Sequence, residues 1–319
     1  MIEIFAQSEA MREAMRLAER VAVTDANVLV TGESGAGKDA LALHIHSRSS
    51  RASGAFVKID CATLPSDLLE AELFGYERGA FTSATEAKPG RLEAADKGTI
   101  VLDEIAYLTK DSQAKLLRVI ETREFERLGG RHTMKVDARL IALTNVDLTA
   151  AVNRRDFRED LFYRLNVVHI QLPPLRERAQ DVPKLVHAFV KQYSIKHGRK
   201  VNGVSPEVVD ILKEYEFPGN VRELANTIER AVIVASGNRI ELSDLPQALR
   251  AAMLVQRKRQ RPQSLAEVEA EYVAETLSAT RGNKTEAARI LGISRKNLYE
   301  RLARLEKRPV KPETRETDF

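Results

Sequence analysis

The sequence predicts an α/β fold on a parallel sheet, then a small all-helical unit and a C-terminal all-α module. Three observations carry this expectation. Short apolar runs (Val28–Val30, Phe56–Ile59, Thr99–Leu102, Leu140–Leu143) alternate with stretches of helical periodicity, as strands buried on both faces do. Beyond Leu172-Pro-Pro174 only the helical period continues. Between residues 281 and 308 nine Lys/Arg stand against three Glu, so this segment carries +6 of a net +4 and the remainder is slightly acidic. A basic module on a near-neutral body is the charge signature of a nucleic-acid reader.

Taken in order, Ser8 can cap a first helix with Met11, Ala14, Met15, Ala18 and Val21 at helical spacing. Val28–Val30 runs into Thr31-Gly32-Glu33-Ser34-Gly35-Ala36-Gly37-Lys38-Asp39, and a helix is expected from Ala40 to His46. Strand, glycine-rich loop and helix is the setting of a phosphate-binding P-loop. The glycines let several N–H groups face one anion, the helix N-terminus adds partial positive charge, and Lys38 can reach the β- and γ-phosphates. A glycine-rich strand-to-helix turn without a ligand is the simpler alternative. Asp39 stands where such a loop usually carries a Ser/Thr magnesium ligand.

Phe56–Ile59 is read as the second strand and Pro65–Phe74 as a helix. The run Thr99–Leu102 ends in Asp103-Glu104, two carboxylates at the strand edge where ligands of open α/β sheets sit. Asp103 can hold magnesium and Glu104 can polarise an attacking water. Ser112–Thr122 is expected to be helical through Ala114, Leu117, Val119 and Ile120, and Leu140–Leu143 to be a strand ending at Thr144-Asn145. Helices are expected over Val182–Lys196, Pro206–Tyr215 and Val221–Ser236, the last entered through Pro218-Gly219-Asn220. Arg257–Pro262 reads as a solvated linker, or secondarily as a phosphate-contacting arm. In the final module, Ser264 with Glu267 and Asn283 with Glu286 have capping-box spacing, Gly292 ends the middle helix and Ser294 can cap the last. Leu298, Leu302 and Leu305 form its buried stripe, leaving Arg295, Lys296, Asn297, Tyr299 and Arg301 for the major groove of double-stranded DNA.

At 319 residues and 43% hydrophobic content the chain has room for two or three domains with real cores. No apolar run is long enough to span a bilayer, no signal peptide is present, and the one cysteine, Cys61, excludes an intrachain disulfide. Cytoplasmic residence is the expectation.

From Gln7 to Leu305 the chain resembles the bacterial sigma-54-dependent transcriptional activators. The blocks that carry the likeness are Gly32–Asp39, Glu72–Gly75, Gly79–Ala84, Gly98–Glu104, Gln113–Arg118, Phe157–Leu161, Leu172–Arg178, Pro218–Leu224 and Asn283–Arg301. The resemblance implies an AAA+ P-loop ATPase with a parallel sheet, a small helical lid and a C-terminal helix-turn-helix, assembling as a homo-oligomeric ring, commonly a hexamer, with ATP and Mg2+ between subunits. It implies ATP binding by Gly32, Glu33, Ser34, Gly35, Ala36, Gly37, Lys38 and Asp39. To these it adds Ala95, Asp96, Lys97, Gly98, Thr99, Ile100, Val101, Leu102 and Asp103 around the second acidic motif. Asp103 and Asp39 would hold the metal, Glu104 activate water, Asn145 and Arg222 sense the γ-phosphate, and Arg158 and Arg164 act as fingers on a neighbour's nucleotide. Gly79, Ala80, Phe81, Thr82, Ser83 and Ala84 would touch sigma-54 of RNA polymerase, and Lys284 and Thr285 would join the last helix on DNA.

Four positions depart from the family pattern: Asp39 for Glu, Asp60 for an Asn that couples γ-phosphate to the catalytic Glu, Ser83 for Gly, and Phe217 for Trp. The expected division is 1–171 nucleotide-binding, 172–247 lid, 248–263 linker, 264–308 helix-turn-helix and 309–319 tail. The ATPase fold begins within about ten residues of Met1, so either a partner supplies regulation or the chain is truncated. Two rivals stay open: a DNA-binding regulator whose ATPase fold is only a scaffold, and a remodeller of other substrates, which leaves Gly79–Ala84 unexplained.

Overall fold

The computed structural model describes residues 4–82, 84–247, 249–251 and 265–306. They fall into two compact units divided near Met253. The first starts with α1 (Glu9–Ala22), capped by the Ser8 hydroxyl, which accepts from the Met11 amide. Strand β1 (Val28–Thr31) leads through the glycine loop into α2 (Lys38–Ser47). Next come β2 (Phe56–Asp60), α3 (Ser66–Phe74), the two-residue ladder of β3 (Gly75–Tyr76) with β4 (Lys88–Pro89), α4 (Arg91–Ala94) and β5 (Thr99–Asp103). After α5 (Lys110–Thr122), the hairpin β6 (Glu124–Glu126) and β7 (Thr133–Lys135) precedes β8 (Arg139–Thr144), α6 (Leu148–Asn153), α7 (Glu159–Leu165) and β9 (Val168–Gln171).

The five long strands form one parallel sheet in the order β2-β5-β8-β1-β9. Alternate residues feed two cores. Leu29, Ile59, Ile100, Leu102, Leu140 and Ala142 pack under α3, α5 and α7, while Val28, Val30, Val101, Ile141, Leu143 and Ile170 pack under α1 and α2. Both faces being covered explains why these strands read as unbroken apolar runs. The edge strand β9 escaped sequence reading because its four residues, Val-His-Ile-Gln, bury only Ile170. In α5 Val119 is buried and Leu117 and Ile120 pack against the core as expected, joined by Ser112, Gln113 and Leu116, while Ala114 points to solvent. Thr109 caps that helix, which begins at Lys110, two residues before the expected start.

The lid is a separate apolar cluster in the same unit. It comprises α8 (Val182–Lys196), α9 (Pro206–Glu214) and α10 (Asn220–Val234), with a short parallel bridge between β10 (Gly203–Val204) and β11 (Arg239–Ile240). Phe217 is fully buried there, edge-on to Tyr215 at 4.9 Å, which accounts for an aromatic at that position.

The second unit contains α11 (Leu265–Ala279), α12 (Lys284–Ile290) and α13 (Arg295–Glu306) around Val273, Ala287, Ala288 and Leu298. Asn283 caps α12 by accepting from the Thr285 and Glu286 amides, and the Ser294 hydroxyl accepts from the Asn297 amide at the start of α13. Ser264, the side chains of Glu267 and Leu305, and the segment 257–262 lie outside the described residues. No helix among those described is long and apolar enough to cross a membrane.

Candidate nucleotide site and its contact surfaces

The P-loop leaves the C-terminal end of β1, which lies between β8 and the edge strand β9. Gly37 precedes α2 with φ +107°, and Gly35 has φ +75° with no room for a side chain: a Cβ there would lie 2.4 Å from the Gly219 carbonyl oxygen. Glycine is required at position 35 because the lid backbone presses against it. The Val221 amide donates to the Gly35 carbonyl at 3.0 Å, the Asn220 amide group to Ser34 O and to a Glu33 carboxylate oxygen, and Arg222 Nη1 to Ser34 Oγ at 3.0 Å. Arg176 clamps Glu33 through two bonds of 2.7 and 2.9 Å. The loop is thus held between sheet and lid.

Lys38 is buried and donates to the Gly32 and Glu33 carbonyls at 2.8 and 3.3 Å, with Glu104 3.9 Å away. Burial pushes its pKa down, while Glu104, Asp103 and Asp39 hold it up. Glu104 takes a left-handed conformation, φ 54° and ψ 49°, an uncommon one for a side-chain-bearing residue. Its carboxylate accepts from the Asn145 backbone amide, just beyond β8, at 3.2 Å. Asp103, Glu104, Lys38, Asp39, Ser34, Gly35 and Gly37 line one side of a cleft of about 240 Å³ whose other wall includes Phe189, Gln192, Tyr193, Val221, Arg222 and Ala225 of the lid. Asp39 and Asp103 converge on a single cation, the Lys58 ammonium.

Other assignments move. Ala95–Thr99 lie at the opposite end of β5 from Asp103, against Ala55, Asp137 and Arg139, and Ile100–Leu102 are buried within the sheet. The acidic motif contributes only its last two residues to the cleft; the others support the strand. Asp60 turns its carboxylate onto the Ala62 amide at 2.9 Å, so Glu104 is bonded to Asn145 rather than to position 60. Arg158 and Arg164 do not line the cleft. Arg158 pairs with Asp160 at 2.7 Å beside an open hollow with Lys110, Asn153 and Tyr163, and Arg164 pairs with Glu121 at 3.1 Å. Fully buried Gln113 fixes the backbone at Arg158: its side-chain carbonyl accepts from the Arg158 amide at 2.8 Å.

The loop Gly79–Ala84 stands on the hairpin that sequence reasoning passed over. The Glu77 amide donates to Leu128 O and the Leu128 amide to Gly75 O, each at 2.9 Å, and a Cβ on Gly129 would lie 2.9 Å from Ala80. Arg127 joins Glu77 to Glu93 beneath it. The Gly129-Gly130 pair between β-rich triplets was the available signal. Within the loop, the Gly79 amide donates to Ala84 O and the Ala84 amide to Phe81 O. The Phe81 ring meets Tyr76 edge-on at 4.9 Å yet remains 38% exposed, so it is a presented side chain and not a core anchor. Thr82 is exposed, and Ser83 lies outside the described residues.

In the helical module Arg295, Lys296, Asn297 and Tyr299 are each exposed, with the Lys284 ammonium 4.8 Å over the Tyr299 ring and Thr285 exposed. Arg301 departs from this set, since it pairs with Glu269 and donates to Asn297.

A P-loop at a parallel-sheet edge, a paired acidic motif and a helical lid define a nucleotide-hydrolysing ATPase of the AAA+ type. The Sigma-54 interaction domain family matches residues 4–171, the AAA+ ATPase lid domain residues 176–262, and the Fis-family bacterial regulatory protein domain residues 264–305. The chain therefore belongs to the sigma-54-dependent transcriptional activators. It is 44% identical over 307 residues to the regulatory protein AtoC of Escherichia coli, covering 94% of this chain and 67% of that one. It is also 44% identical over 309 residues to the transcriptional regulatory protein FlbD of Caulobacter vibrioides, covering 92% and 68%. A crystal structure of NtrX from Brucella abortus in complex with ATP superposes with a TM-score of 0.72 at 36% identity, covering 96% of this chain and 69% of NtrX.

The lid clamp yields a pH prediction. Arg176, then Asn220, hold the Glu33 carboxyl down to about 2 from an ordinary 4.5. A depressed folded-state pKa means that the clamp acts fully above about 4.5 and is lost as pH falls through about 2. A fluorophore pair on α2 and α10 is expected to report lid separation over that window. Glu33→Gln is expected to abolish this pH-dependent part; identical responses in parent and variant would contradict the clamp.

Proposed function

We propose that this ATPase works as a ring of identical subunits, commonly six, that cleaves ATP between neighbours and drives Gly79–Ala84 against sigma-54 of the polymerase. The helix-turn-helix holds it on double-stranded DNA meanwhile, in the cytoplasm. The observation that carries the reading is the split site: Lys38, Asp103, Glu104 and Arg222 line one cleft, whereas Arg158 and Arg164 stand outside it on exposed surface. Arginines that serve a nucleotide from there serve the neighbour's. The division 1–171, 172–247, 248–263, 264–308 and 309–319 follows the same logic of sheet, lid, linker, reader and tail.

Asp39 and Asp103 fit Mg2+, because two carboxylates already converge on one cation. Among the described residues no three His, Cys, Asp or Glu side chains form a metal cage, as suits an ion that takes most of its ligands from phosphates and water. Bound there, Mg2+ would neutralise phosphate charge. Lys38 and the loop amides hold the β- and γ-phosphates, Glu104 accepts a proton from the attacking water, and Asn145 and Arg222 orient the terminal phosphate. The exposed Arg295, Lys296, Asn297, Tyr299, Lys284 and Thr285 meet DNA; Arg301 steadies the module through Glu269.

Two outcomes test this. Phe81→Ala is expected to leave ATP turnover and assembly near parental levels and to abolish transcription from a sigma-54 promoter; a parallel loss of turnover would make Phe81 part of the ATPase core instead. Arg158→Ala and Glu104→Gln chains, each expected to lose turnover by roughly a hundredfold or more, should regain activity when mixed, because some interfaces then join a working cleft to a working finger. Mixed assemblies without rescue would contradict the shared site.

A further inference from the structure

Lys58 has no part in the scheme above, yet its side chain lies at the centre of the metal subsite. It extends from β2, whose Asp60 is in register with Asp103 of β5, and its ammonium bridges Asp39 and Asp103, the latter at 2.7 Å. Among the described residues, neither carboxylate forms an ion pair with any other group. Lys38 is not available to replace it, being bonded to Gly32 O and Glu33 O.

We propose that Lys58 is the resident counter-ion of the metal subsite: it holds Asp39 and Asp103 together before a divalent cation arrives and sets the concentration at which that cation loads. This rests on the reading of Asp39 and Asp103 as the metal-holding pair. Two adjacent carboxylates repel, and an ammonium between them offsets that repulsion. A divalent ion entering the same space must displace the ammonium, so both ion pairs are lost for each ion gained. Lys58 can make this exchange because its side chain is about one-third exposed and its four-carbon stem reaches solvent. The competition disfavours metal binding to the nucleotide-free chain. It is relieved once phosphates bring their own negative charge, so the metal loads together with the nucleotide. Lys58 is thus a positioning residue for the carboxylates and a threshold for the metal.

Mn2+ provides a spin-active probe, and electron paramagnetic resonance measures its free fraction without reliance on turnover. Lys58→Met keeps most of the stem and removes the charge. In the nucleotide-free full chain it is expected to tighten Mn2+ binding on the order of tenfold, the size set by removing one unit charge a few ångströms away. Lys58→Arg keeps the charge and is expected to bind as weakly as the parent. Adding Asp39→Asn to Lys58→Met should remove most of the gain. Equal or weaker Mn2+ binding by Lys58→Met would overturn the proposal while leaving the metal pair in place, provided that Mn2+ still binds the parent with ADP. If Mn2+ fails to bind even with ADP, the metal pair falls and this inference with it.

Discussion

The contact between the P-loop and the lid is the constraint on which the rest of the structure depends. Gly35 has no side chain because the Gly219 carbonyl occupies its place, and the Val221 amide closes the contact by donating to Gly35 O. Through this one approach, Asn220 and Arg222 reach the loop that would hold the phosphates, and Glu33 meets Arg176. A change at the loop would therefore reach α10 and the lid through direct contacts.

The second layer of the design is electrostatic. Cations and carboxylates are paired around the cleft in ways that a nucleotide would rearrange: Lys38 beside Glu104, Lys58 between Asp39 and Asp103, Arg222 on Ser34. Arg158 and Arg164 are likewise engaged by Asp160 and Glu121 in the single chain. The Arg158–Asp160 and Arg164–Glu121 pairs are solvent-exposed and hold little energy, whereas Lys38–Glu104 and Lys58–Asp103 each include a largely buried side chain. The hydrogen bonds beneath Gly79–Ala84 are different in kind. Backbone bonds to Leu128 and the Arg127 bridge tie that loop to the hairpin.

Much of this was legible in the sequence, for physical reasons. Strands buried on both faces leave continuous apolar runs, and the P-loop leaves glycines in a spacing that few other structures require. The capping of α12 by Asn283 was equally plain. What sequence could not give was direction. Ala95–Leu102 belong to the motif but run away from the cleft, because a strand presents only its end to a ligand at the sheet edge. Arg301 and Asp60 have suitable chemistry and spend it on Glu269 and Ala62. In α5 the buried Ser112 and Gln113 went unseen beside Leu117, Val119 and Ile120, because polar side chains with internal partners escape a hydrophobicity pattern. The bridge by Lys58 leaves no trace in periodicity at all.

The central claim is that the state of the nucleotide decides whether the Phe81 loop holds the sigma factor. Co-elution of purified sigma-54 with the chain tests it most directly, compared in ADP alone and in ADP with aluminium fluoride, which mimics the transferring phosphate. The account predicts a stable complex only with the fluoride. Equal retention in both states, or none in either, would contradict it.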